Sequence, residues 1–167
     1  MTQDELVEII YRFYPRGMGV SSPGRDATPE HRRQMEAPRR AVAEYPKWRA
    51  LLGRLQPRYE VWDKSVYLLG GTFDPGYSAE VTIPGEGEHR VLFNVSFLGP
   101  CYAIHDKGFA GEAAHVRALA GEIEAMYRYA PIPPEIGTVI VPDVSRDAVP
   151  LGEATIYDML LSDFWRY

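Results

Sequence analysis

The sequence predicts an α+β fold in which an antiparallel sheet of about four strands packs against helices. In the middle of the chain, apolar and polar residues alternate with the period of two that is typical of strands. On either side of it, apolar residues recur every three or four positions, as they do along one face of a helix. A chain of 167 residues has the size of one domain. We therefore expect residues 1–167 to form a single α+β domain.

The helical period occupies three stretches of the chain. These stretches are 3–14, 29–56 and 112–129. Thr2 and Glu5 have the spacing of a capping box before the first helix, and Thr28 is an N-cap before the second. Pro38 and Pro46 lie inside the second stretch, and proline lacks the N–H that a helix interior needs. We expect two helical pieces there, 29–44 and 46–56.

The strands follow one another with short connections, which favours an antiparallel meander. They are predicted at 61–69, 77–83, 90–98 and 101–106. In the third, one face is wholly apolar and the other is apolar only at its ends, so we expect a central strand that is packed on one side and partly covered on the other. We expect the helices chiefly on one face. A short extended segment at 139–141 and a last helix at 155–161 complete the prediction.

Composition limits the possible partners. The net charge is -5 and the sequence pI is about 5.4, which argues against direct nucleic acid binding and favours a basic protein partner. Aromatic residues make up 12% of the chain, a composition that suits a binding surface as well as a core. No apolar run approaches the ~18 residues of a membrane span, and the acidic start MTQDELVEII does not resemble a secretory signal. We expect a cytoplasmic protein.

One stretch resembles a nucleotide-binding motif. Residues 70–75 (GGTFDP) follow an apolar run and are similar to the strand-end motif of adenylyl-transferring nucleotidyltransferases. In that family a His-x-Gly-His sequence follows and opens a helix, whereas here no histidine follows within ten residues and the next segment alternates as a strand. Phosphate binding of this kind needs a helix amino terminus. We interpret 70–75 as a hairpin turn and keep a nucleotide-binding enzyme as the disfavoured alternative.

No set of residues forms a complete catalytic or metal motif, so we predict no catalytic residues, no cofactor and no metal. Cys101 and His105 would lie ~13 Å apart along one strand, too far for a thiol–base pair. Asp143, Asp147 and Asp158 surround a proline-bounded loop and could hold a divalent ion. They lack the spacing of a calcium loop, and loop solvation and helix capping explain them as well.

The sequence as a whole resembles small bacterial immunity proteins that accompany polymorphic toxins. The segments that carry the resemblance are 14–17 (YPRG), 28–33 (TPEHRR), 48–52 (WRALL), 140–144 (IVPDV) and 152–158 (GEATIYD). The resemblance implies a protein without turnover that binds a cognate toxin domain and covers its active site or substrate groove. Many such toxins are nucleases with basic surfaces, which an acidic inhibitor would complement. An adaptor for another protein is the remaining alternative.

The partner surface is expected to be acidic and aromatic. If Tyr77, Ala79, Val81 and Ile83 face the core, Glu80 points to the opposite side of the sheet. The candidate acidic contacts are Asp74, Glu80, Glu86 and Glu88. The candidate aromatic anchors are Trp62, Tyr102 and Trp165, because Trp and Tyr are enriched among residues that dominate binding energy.

Overall fold

The computed structural model describes residues 1–65, 74–85, 89–105, 112–146 and 149–161. The helices of this part are α1 (Gln3–Phe13), α2 (Pro29–Leu55), α3 (Glu112–Tyr127), α4 (Pro134–Gly137) and α5 (Ile156–Leu160). The strands are β1 (Glu60–Asp63), β2 (Gly76–Thr82), β3 (Arg90–Ser96), β4 (Cys101–His105) and β5 (Ala130–Pro131). The predicted α+β class is confirmed.

A single sheet has the strand order β1-β2-β3-β4-β5. The first four strands form the predicted antiparallel meander. The sequence did not predict β5, which is only two residues long, contains Pro131 and pairs parallel with β4. The first strand was predicted at 61–69, but β1 stops at Asp63, so residues 64 and 65 are not part of it. Residues 66–69 lie outside the described ranges.

One face of the sheet packs against α2 and α3. Tyr77, Ala79, Val81 and Ile83 are buried on this face as predicted. The helical side chains against them are Trp48, Leu51, Leu52 and Leu55 of α2 with Leu119, Ile123 and Tyr127 of α3. Trp48 stacks on Tyr77 at 5.2 Å between ring centroids, so the longest helix is fixed to the centre of the sheet.

The opposite face is covered more extensively than the sequence suggested. Cys101 and Ala103 are buried in a second apolar cluster with α1, α5 and residues between Val141 and Ala154. The expectation that the helices lie chiefly on one face therefore holds for α2 and α3, whereas α1 belongs to the second cluster. The predicted helix at 155–161 is present as α5, which Thr155 and Asp158 cap reciprocally.

Helix α2 is continuous through both prolines, so the prediction of two helical pieces was wrong. Pro46 removes one backbone N–H, but buried side chains on both sides of it pack into the same core and hold the two halves in line. Pro46 has no N–H to donate to the Val42 carbonyl, four residues before it. Beside that position, the Tyr77 hydroxyl of the sheet donates to the Ala41 carbonyl at 2.5 Å.

Candidate functional site

Trp62 is the most exposed large apolar side chain of the described residues, with 55% of its surface accessible. It lies on β1, the edge strand of the sheet, opposite Glu80 of β2. Residues paired across a ladder share a face, so Trp62 points away from the α2 side of the sheet. An exposed indole costs free energy in water and is a common anchor in protein interfaces.

Glu80 lies on the outer face of the sheet, as predicted, but basic side chains neutralise its charge. Arg90 Nη1 is 3.2 Å and Lys64 Nζ is 3.9 Å from its carboxylate oxygens. Only 19% of the Glu80 side chain is exposed. The side chain therefore contributes to a locally balanced charge cluster, and it does not present an isolated negative charge.

Asp74 forms an ion pair inside the protein. Its Oδ1 atom is 2.8 Å from Nη2 of Arg146, whose side chain is only 6% exposed. Arg146 also donates to the Asp158 carbonyl at 2.5 Å. Asp74 thus fastens the residues before β2 to the segment before α5, which accounts for this carboxylate without a partner protein.

The other predicted contacts divide into one core residue and three residues outside the described ranges. Tyr102 is 1% exposed and donates to Glu124 at 2.7 Å, so it is a core residue and not an exposed anchor. The predicted contacts Glu86, Glu88 and Trp165 lie outside the described residues. Of the predicted aromatic anchors, Trp62 is the one that the structure places on the surface.

A groove of about 680 Å³ runs between α2 and the edge strand β1. Its lining residues are Tyr45, Pro46, Arg49, Ala50, Leu52, Gly53, Gln56, Val61 and Asp63. The helix supplies one wall at positions three, four and seven residues apart, which share a helical face. The strand supplies the other wall through Val61 and Asp63. Trp62 lies between these two and points to the other side of the sheet.

Asp63 braces the two walls of the groove. Its carboxylate accepts hydrogen bonds from the Tyr45 hydroxyl at 2.5 Å, Trp48 Nε1 at 3.1 Å and the Ser65 amide at 2.9 Å. Burial, followed by the hydrogen bond to Asp63, raises the pKa of Tyr45 to about 12. Tyr45 therefore remains a hydrogen-bond donor at neutral pH and links the helix wall to the strand wall.

The strand wall has backbone groups that no described strand pairs with. The Lys64 amide donates a hydrogen bond to the Ser78 carbonyl at 2.9 Å. In the β1–β2 ladder, every second residue of β1 bonds to β2, so this bond shows which residues of β1 do so. Glu60 and Trp62 therefore bond to β2, and the N–H and C=O groups of Val61 and Asp63 point to the open edge. No described strand lies beyond that edge. Such an edge is a template for pairing with another chain.

Arg49 is the charged side chain on the helix wall. It is exposed and makes no ion pair or hydrogen bond with any described residue. Its charge lowers the pKa of Tyr45, although burial and Asp63 outweigh that effect. The groove thus combines the outward peptide groups of Val61 and Asp63, a short apolar surface and a cation that pairs with no described residue.

The other predicted sites do not assemble in the described residues. Burial raises the pKa of the Cys101 thiol to about 12, which leaves it protonated and unreactive.

The carboxylates of the proline-bounded loop have partners within the protein. Asp143 accepts hydrogen bonds from Arg16 and Tyr11, and Asp158 caps α5. Burial alone would raise the pKa of Asp143, but these hydrogen bonds and the charge of Arg16 hold it below its ordinary value. The third carboxylate, Asp147, lies outside the described ranges, as do residues 70–73 of the GGTFDP stretch.

The described ranges contain no group of three or more His, Cys, Asp or Glu side chains close enough together to hold a metal ion. No helix there has both the length and the apolar composition that crossing a membrane requires. Comparison of the chain with protein-family models, curated proteins and solved structures finds no match.

The groove could not be predicted from the sequence. Tyr45, Arg49 and Gly53 are four residues apart and therefore share a helical face, but this pattern is also typical of a solvated face. The groove arises because β1 passes beside that face, and the distance between a helix and a strand is a tertiary property.

Proposed function

We propose that this protein is an immunity protein that neutralises a cognate bacterial toxin by direct one-to-one binding. The observation that supports the proposal is the exposure of Trp62, at 55%, on an edge strand whose other side borders a groove. Surface of this kind is typical of interfaces. The link to toxins is carried by the resemblance of segments such as TPEHRR and GEATIYD to immunity proteins. The proposed location is the cytoplasm of the producing cell, and the protein has no catalytic role.

Charge has a long-range role in this proposal. Asp74 and Glu80 are both paired with basic side chains, so contacts from them are not required. The net charge of -5 still attracts a basic toxin domain, because the field of the whole molecule raises the association rate. Binding energy then comes from apolar and backbone contacts, and added salt should slow association more than it speeds dissociation.

The test is co-expression with the carboxy-terminal domain encoded by the neighbouring reading frame. That domain alone should stop growth, and the wild-type protein should restore growth and co-purify with it at a one-to-one ratio. Trp62→Ala should weaken the complex about 30-fold, which corresponds to the ~2 kcal/mol typical of a dominant interface residue. Its own stability should change by less than about 0.5 kcal/mol, because the indole is half exposed.

The control variant is Ile140→Ala, since Ile140 is 53% exposed and lies outside the sheet. It should bind like the wild type. The immunity proposal fails if the neighbouring domain is harmless, or if growth is restored without a detectable complex. A stable complex with a harmless protein would favour the adaptor alternative.

A further inference from the structure

We propose that the groove between α2 and β1 binds an extended segment of the partner as an additional strand of the sheet. The inference rests on the proposed function and deepens it by naming how the partner is held. The occupant is an unfolded or loop segment of the toxin domain with alternating apolar side chains and one acidic side chain. Each of these features corresponds to a described group of the groove.

The backbone of the occupant would pair with Val61 and Asp63. Each of these residues has an N–H and a C=O group directed to the open edge, because Glu60 and Trp62 bond to β2. Adding a strand at such an edge satisfies these groups and gives affinity through main-chain hydrogen bonds. Side-chain pockets then supply specificity, since alternate residues point to alternate faces.

The helix wall leaves space for the side chains of the added strand. Gly53 has no side chain, and a Cβ atom built there would meet no atom within 4 Å. Leu52 and Val61 form the apolar part of the surface. Apolar side chains on the inward face of the occupant would therefore continue the packing that β2 and β3 make against α2.

Arg49 selects for negative charge. It lines the groove, is exposed and makes no ion pair with a described residue. An acidic side chain on the occupant would pair with it, and guanidinium–carboxylate pairs are directional as well as attractive. A basic segment would meet repulsion at this position. Trp62 could contact the same partner on the other side of the edge.

A second copy of this chain is a less suitable occupant. Each copy carries α2 beside its own β1, so pairing of two edges would bring two helices together with their exposed arginines. The edge strand is also only four residues long and has Glu60 at its start, and short charged edges are typical of proteins that avoid self-pairing. The partner segment avoids both problems.

The test selects binding peptides and then blocks the groove. A phage-displayed library of random dodecapeptides is selected on the wild-type protein, and the enriched peptides are synthesised. They should have alternating apolar residues and at least one acidic residue. Gly53→Phe should weaken their binding at least tenfold, because the ring fills the groove. The variant should still fold, since replacing an exposed helical glycine is not destabilising.

Gly121→Phe is the matched control. Gly121 is also an exposed helical glycine with no atom within 4 Å of an added Cβ, but it lies outside the groove lining. This variant should bind the peptides like the wild type. Arg49→Glu should reverse the charge preference, so that peptides with a basic residue replace the acidic ones.

Amide hydrogen exchange tests the binding geometry. A bound peptide should slow exchange at Val61 and Asp63 more than at Glu60 and Trp62, whose amides already bond to β2. The inference is overturned if no peptide is enriched, if Gly53→Phe binds as well as Gly121→Phe, or if the edge amides stay unprotected. It is also overturned if light scattering shows a dimer that only Gly53→Phe separates, because the occupant is then a second copy.

The same variants separate this inference from the proposed function. If the neighbouring toxin domain binds both glycine variants equally, the protein is an inhibitor that uses another surface. If peptides bind the groove but the neighbouring domain is harmless, the groove is a peptide site and the immunity proposal is wrong.

Discussion

At the residue scale, the carboxylates that the sequence singles out mostly bind side chains of the same molecule. Asp74 pairs with Arg146, Glu80 with Arg90, and Asp143 with Arg16. An acidic sequence therefore does not produce an acidic contact at each of these positions. Beside the groove the exposed groups are of another kind: an indole at Trp62 and a guanidinium at Arg49.

Asp74→Ala should destabilise the protein by about 2 kcal/mol. It removes the carboxylate 2.8 Å from the buried guanidinium of Arg146, and a buried charged group that loses one of its hydrogen-bonded contacts is destabilising. Urea unfolding measures the effect. Glu30→Ala is the control, because Glu30 pairs with Arg33 on the exposed surface of α2, where such pairs contribute less than about 1 kcal/mol. A stable Asp74→Ala protein with weakened toxin binding would instead make Asp74 a contact residue.

These residues show where sequence reasoning succeeds and where it stops. The alternation of Tyr77, Ala79 and Val81 with polar neighbours fixes which side of β2 is buried, because a strand has only two faces. That part of the prediction was correct. The partners of Asp74 and Glu80 depend on which distant arginines the fold brings near. The side chain of Tyr102 has an apolar ring and a polar hydroxyl, so it suits both core and surface. For these residues local sequence contains no deciding signal.

At the element scale, α2 shows how packing overrides a local preference. Pro38 and Pro46 lie inside a continuous helix, although each removes a backbone hydrogen bond and crowds the preceding turn. The cost is offset by the burial of Trp48, Leu51 and Leu55 on the same face. Proline is a reliable signal of local strain, and the surrounding core decides whether that strain ends the helix.

Pro38→Ala should stabilise the protein by about 1–2 kcal/mol. The replacement restores an N–H for the Gln34 carbonyl and removes the ring from the helix interior. Thermal unfolding measures the change. Pro29→Ala should give no gain, because Pro29 is at the first helical position, where its geometry is favourable. A loss of stability in Pro38→Ala that exceeds the loss in Pro29→Ala would mean that the packing around α2 requires the proline at position 38.

At the scale of the whole molecule, α2 joins two apolar clusters. Ala37 belongs to the cluster with α1 and α5, and Ala41 and Trp48 belong to the cluster between α2, α3 and the sheet. One helix therefore contributes to both. We expect the two clusters to unfold together, as the sequence-based prediction of a single domain requires.

Leu160→Ala tests this cooperativity. Leu160 is fully buried in the α1–α5 cluster, and removing such a side chain costs about 2–5 kcal/mol. The unfolding transition is followed by the fluorescence of Trp48 in the other cluster, with Trp62 and Trp165 replaced by Phe. Its midpoint should fall together with the loss of circular dichroism. An unchanged Trp48 transition would show two independent domains.

The packing of α1 against α5 has a consequence for synthesis of the protein in the cell. Leu6 and Ile10 are synthesised before residues 156–161, which belong to the same cluster. At about 5–20 residues per second, the ribosome adds α5 roughly 7–30 s after α1. The sheet can form against α2 and α3 during that interval. Until α5 is added, part of the apolar face of α1 lacks the side chains that cover it in the folded protein. This cluster therefore cannot close until α5 has left the ribosome, and we expect the α1 side of the sheet to fold after the α2–α3 side.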